Sequence, residues 1–161
     1  MSGVTIVYPK VKLASQLREA GGMAVADAVQ GATDNLAVLK PRCLTELQMA
    51  ADNAMTCFSG FPAEFAPEPL QELYAIAARA VGMGAICGAP GADAALVSLC
   101  DLLDRLGSSR RWDKAAVGVH VQTLQLLAMN AGGVLDAAAT DRVLAGLRKV
   151  SARYLELPPA A

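Results

Sequence analysis

Apolar residues recur at Val25, Val29, Ala32, Leu36, Leu39, Cys43, Leu47, Ala50 and Ala54. This three-and-four spacing runs straight through Pro41 without losing phase. Two separate helices would have no reason to share a register, so the spacing predicts one long helix, Met23 to Phe58, kinked at the proline. Such a helix would span roughly 50 Å, longer than a bundle of this mass needs. Part of it is therefore expected to project, or to pair with another chain.

The remainder of the chain also reads as helix. Alanine and leucine supply much of a 54% hydrophobic fraction, in runs such as Ala77-Ala78 and Ala137-Ala138-Ala139, while aromatic residues make up only 4%. Those are the strongest helix formers, and the balance predicts an all-α fold with close helix packing. At 161 residues the chain can bury a proper core without a disulfide or metal. Only 18% of residues are charged, so many helices share few charges and apolar surface is left over, which favours self-association.

A short helix, Lys10 to Ala20, is expected to precede the long one and to stop at Gly21-Gly22. Ser59 to Pro69, SGFPAEFAPEP, is a proline-rich connector and the clearest break. Four helices should follow: Pro69 to Cys87, Ala92 to Leu106, Trp112 to Ala131, and Ala137 to Leu155. Their short, glycine-bearing connections make antiparallel neighbours. The expected architecture is an antiparallel four-helix bundle preceded by a short helix and a long proline-kinked helix. Residues 1–58 form its N-terminal part, 59–68 the connector and 69–161 the bundle, within one structural domain overall. Only Val4–Tyr8 looks like a strand.

The single histidine, His120, is the one residue that could carry chemistry alone. On its helix it lies about 40° from Leu124, inside the stripe of Val117, Val121, Leu127 and Ala128. A half-buried, hydrogen-bonded structural histidine is therefore expected. Histidine phosphotransfer domains place a lysine and a glycine three and four positions after the phosphorylated residue, where this chain has Thr123 and Leu124. A degenerate phosphotransfer role for His120 is the alternative, and a helical sensor of a small apolar ligand is a further one.

Val119, Leu126 and Met129 form a second apolar patch on the same helix, opposite Leu124, and are expected at an interface. Charge is uneven. Glu64, Glu68, Glu72, Asp93, Asp101 and Asp104 crowd the middle, whereas Arg142, Arg148, Lys149 and Arg153 mark one face of the last helix, suited to an acidic partner protein. The net charge of −1 argues against nucleic acid and anionic membrane as partners. Arg110-Arg111-Trp112 combines charge with an aromatic, as nucleic-acid sites do, but a single such cluster reads instead as Trp112 anchoring the start of its helix, with Ser109 near the cap.

Cys43, Cys57, Cys87 and Cys100 contain no CxxC pair, so metal-ligand spacing is missing and no metal or cofactor is expected. Without a recognisable signal peptide they suit a reducing cytoplasm, as small core residues. Gly82-Met83-Gly84 with Gly88 lacks the spacing of a dinucleotide fingerprint and reads as a close helix approach. Asp101 and Asp104 share a helix face, but Asp101 also fits an ordinary pair with Arg105.

The first third resembles the CheE-type accessory proteins encoded near chemotaxis genes in alphaproteobacteria. The features are Lys10-Val11-Lys12-Leu13-Ala14 leading to Gly21-Gly22, then Val25-Ala26-Asp27-Ala28 running through Asn35-Leu36 to Cys43-Leu44. The resemblance implies a cytoplasmic helical protein that works by contact in chemotaxis or motility signalling, and it carries over no catalytic residue. The expected function is that of a non-enzymatic adaptor, self-associating and engaging signalling proteins.

Overall fold

The computed structural model describes residues 21–133 and 135–154, and the chain divides into two compact units, Met1–Asn35 and Leu36–Ala161. The expected helix Lys10 to Ala20 and strand Val4–Tyr8 lie outside the described residues. The described residues are all-α: α1 Val25–Ser59, α2 Pro67–Ala80, α3 Met83–Cys87, α4 Pro90–Ser109, α5 Lys114–Met129 and α6 Ala137–Ala152, with a 3-10 turn at Asn130–Gly132.

Helix α1 continues through Pro41 without a break. The proline lacks the N–H that would bond the Ala37 carbonyl, but both residues are exposed and water can replace that bond. In the first unit every described residue is exposed. In the second, burial begins at Cys43 and Leu44 and becomes complete at Leu47, Ala51 and Ala54, which belong to the main core.

The core is organised around α4. That helix touches α2, α3, α5 and α6, and buries Leu96, Leu99, Leu102, Leu103 and Leu106 along with Ala92 and Ala95. Each fully buried leucine stabilises the fold by about 1.5–3 kcal/mol. Small residues let neighbours close in: a Cβ on Gly118 of α5 would lie 2.9 Å from the Phe58 ring of α1. The aromatic residues collect there, with Phe61 5.8 Å from Phe58 and 5.2 Å from Trp112 between ring centroids.

The expected helix Pro69 to Cys87 is instead two helices. Pro67 starts α2 in its first turn, and Gly82, at φ +96°, turns the chain into a conformation that only glycine adopts without strain. Asp93 of α4 then caps α3 from outside. Its Oδ1 accepts from Gly82 N at 2.9 Å and Gly84 N at 3.0 Å, and its Oδ2 from Ala85 N at 2.6 Å. A Cβ on Gly84 would fall 2.5 Å from the Ala89 carbonyl oxygen, so the glycine pattern encodes this close turn.

Helix α4 runs on to Ser109, which is buried and donates to Arg105 O at 2.7 Å, so Ser109 is not a cap of the next helix. Asp113 has that role, its Oδ1 accepting from Ala116 N at 2.9 Å. Trp112 sits just before α5 and packs on Phe61 as an anchor.

Candidate functional site

His120 projects from the middle of α5 into the interior, where its side chain is 0% exposed. Its Nδ1 lies 2.9 Å from the Ala116 carbonyl oxygen, one turn earlier. A carbonyl can only accept, so Nδ1 carries the ring proton and Nε2 presents a lone pair. Two hydroxyls compete for it: Ser98 Oγ of α4 and Ser151 Oγ of α6, each 3.1 Å from Nε2 and 3.2 Å from each other. Three helices therefore meet at one hydrogen-bonded triangle.

Burial pushes the imidazole below its usual titration range, opposed by the bond to Ala116, so the ring is neutral at pH 7. Nε2 has one lone pair, so one serine donates to it, while the proton of the other serine can bond the first serine's oxygen or turn towards solvent.

The two serines are half-buried and line a cavity of about 280 Å³ between α4 and α6. Asp101, Arg105 and Arg148 also line it. A hydroxyl, an imidazole and a third group orienting that imidazole make the general pattern of an activated nucleophile. Acyl transfer also needs donors aimed at a developing oxyanion. Ser98 lies in the body of α4, where the surrounding backbone N–H groups are engaged in the helix. The helix backbone around Ser98 therefore offers no free N–H donors to such an oxyanion.

Histidine phosphotransfer needs a ring nitrogen open to a donor protein. In His120 both nitrogens are hydrogen-bonded and neither reaches the surface. Ser98 and Ser151, which complete the triangle, were not candidates from the sequence. The available signal was a serine four residues from a buried leucine on each of two helices, Ser98 before Leu102 and Ser151 after Leu147.

The other candidates lie on the surface. Val119, Leu126 and Met129 are 43%, 47% and 73% exposed. Arg142, Arg148, Lys149 and Arg153 are all exposed on or just past α6. Val25 and Val29 of the first unit and Leu36 and Leu39 of the second are exposed aliphatics. The four cysteines are free; Cys87 is buried and the others half-buried. Burial, with Glu72 beside Cys57 and Asp101 beside Cys100, raises those two thiols, and burial likewise raises Cys87. Among the described residues no cluster of three or more potential ligands could hold a metal ion, and no helix is long and apolar enough to cross a membrane.

No protein-family model, no curated protein and no solved structure matches the chain.

Proposed function

We propose that this chain is a non-enzymatic helical interaction protein, an adaptor in bacterial signalling or chemotaxis regulation that works in the cytoplasm. In this reading α2, α4, α5 and α6 form an antiparallel four-helix bundle, and α1 supplies a surface for a second copy of the chain. The observation that carries it is the exposure of Leu36 and Leu39, which keep helical spacing yet have no apolar cover among the described residues. Exposed aliphatics in register are the mark of a helix that pairs with another helix. The patch of Val119, Leu126 and Met129 adds a second apolar surface, and Arg142, Arg148, Lys149 and Arg153 suit an acidic signalling partner.

Removing residues 1–58 is not the right test, because Leu47, Ala51 and Ala54 belong to the core. Charge reversal of the stripe is cleaner. The parent chain should sediment as a dimer at micromolar concentration, and Leu36→Glu with Leu39→Glu should sediment as a monomer with unchanged helix content. A monomeric parent overturns the self-association, whatever the variant does.

A further inference from the structure

The cavity between α4 and α6 joins three features that do not occur together elsewhere among the described residues. Its polar floor is the pair Ser98 and Ser151, fixed from below by the fully buried His120. Its walls include the aliphatic side chains of Val97, Leu144 and Leu147. Its charged lining is Arg105 and Arg148 against Asp101, which leaves one net positive charge. A single surplus positive charge matches a monoanion, and apolar walls match a hydrocarbon body. The size, about 280 Å³, admits a small molecule only.

Proton accounting points the same way. The serine that donates to its neighbour can rotate that proton into the cavity, giving up one neutral hydrogen bond while the other serine stays on Nε2. A carboxylate arriving there accepts the freed proton in a charge-assisted bond, which is the stronger of the two. Guanidinium groups supply the remaining donors in a geometry that fits a carboxylate.

We propose that this cavity binds a small monocarboxylate with a short aliphatic chain, its head held by a serine hydroxyl with Arg105 and Arg148 and its tail against Val97, Leu144 and Leu147. The proposal does not depend on self-association or on any protein partner.

Because His120 is the only histidine, its ring nitrogens give isolated signals in a ¹⁵N-labelled full-length chain. Sodium butyrate is titrated at pH 7 and constant ionic strength, with 1-butanol and inorganic phosphate as comparators. Butyrate should shift the Nε2 signal saturably, with a dissociation constant on the order of millimolar. Neither comparator should do so. The exposed Arg148→Gln should weaken butyrate binding by about tenfold, and Ser98→Ala with Ser151→Ala by at least as much. If the double serine variant fails to keep its helix content, Arg148→Gln alone decides. No saturable shift with butyrate overturns the proposal. An equal response to butanol or to phosphate, or undiminished binding by Arg148→Gln, overturns it as well.

Discussion

Tyr154, two residues past the end of α6, donates its phenolic hydroxyl to the carboxylate of Asp113, the cap residue of α5. One side chain thereby closes the start of one helix and ties down the end of another. The bond from Tyr154, followed by the capping N–H of Ala116, holds the Asp113 carboxyl below its ordinary range. Burial and the same bond push the Tyr154 phenol up to about 12.

Tyr154→Phe should therefore lower the unfolding free energy by about 1 kcal/mol at neutral pH, as measured by urea denaturation, since the pair is only half-buried. The difference between parent and variant has two limits. The carboxyl titrates lower in the folded state, so its share is full above 3.8 and fades as pH falls below that value. The phenol titrates higher when folded, so its share is full below 10 and fades as pH rises from 10 through about 12.

His120 has the opposite tendency to an ion-paired histidine. Its folded form holds the proton less tightly than the unfolded chain, so stability is full above 6.5 and falls as pH drops from 6.5 through the lower folded value. His120→Leu should flatten this part of the pH profile, because no other histidine is present. At pH 7 it should also destabilise by about 1–2 kcal/mol, through two lost hydrogen bonds partly offset by apolar burial. A profile that keeps its slope in the variant would assign the effect elsewhere.

Two glycines should respond in opposite directions to alanine. Gly84→Ala sets a methyl 2.5 Å from a backbone oxygen that cannot swing aside, and should destabilise by about 2–4 kcal/mol. Gly146 lies inside α6 with nothing within 4 Å of a built Cβ. Gly146→Ala should stabilise by about 0.5–1 kcal/mol through helix propensity. Thermal melts of the two variants on either side of the parent would meet this expectation.

Leucines on the two sides of the fold should also separate. Leu99→Ala empties a site in the middle of α4 at 0% exposure and should lose about 2–5 kcal/mol. Leu126→Ala, at the surface of α5, should stay within about 0.5 kcal/mol of the parent in stability. Its effect belongs in binding to a partner, if Val119, Leu126 and Met129 form a contact face.

Helix identity was legible because alanine and leucine at helical spacing leave little alternative. The leucine stripe of α4 and the inward side of His120 follow from angular position, but the complete burial of the ring does not, since that position implied only half-burial. The break at Gly82 was not legible, since it depends on Asp93 arriving from the next helix to cap α3. Nor was the centrality of α4, because periodicity shows which face is apolar but not how many neighbours share it. Capping of α5 fell to Asp113 and not Ser109 because α4 winds one turn further, to where Arg110 adopts φ +50°. Ser98 and Ser151 escaped notice for a related reason: 53 residues separate them, and only folding brings their oxygens to 3.2 Å.

An interior of alanine and leucine has little to tell one axial alignment of its helices from another. Similar side chains repeat every turn, and a helix slid by one turn meets much the same surface. Directional bonds lack that tolerance. The triangle of Ser98, His120 and Ser151 closes at only one alignment of α4, α5 and α6. Without it the same composition could settle into several interchangeable packings, and the three polar residues select one native arrangement among them.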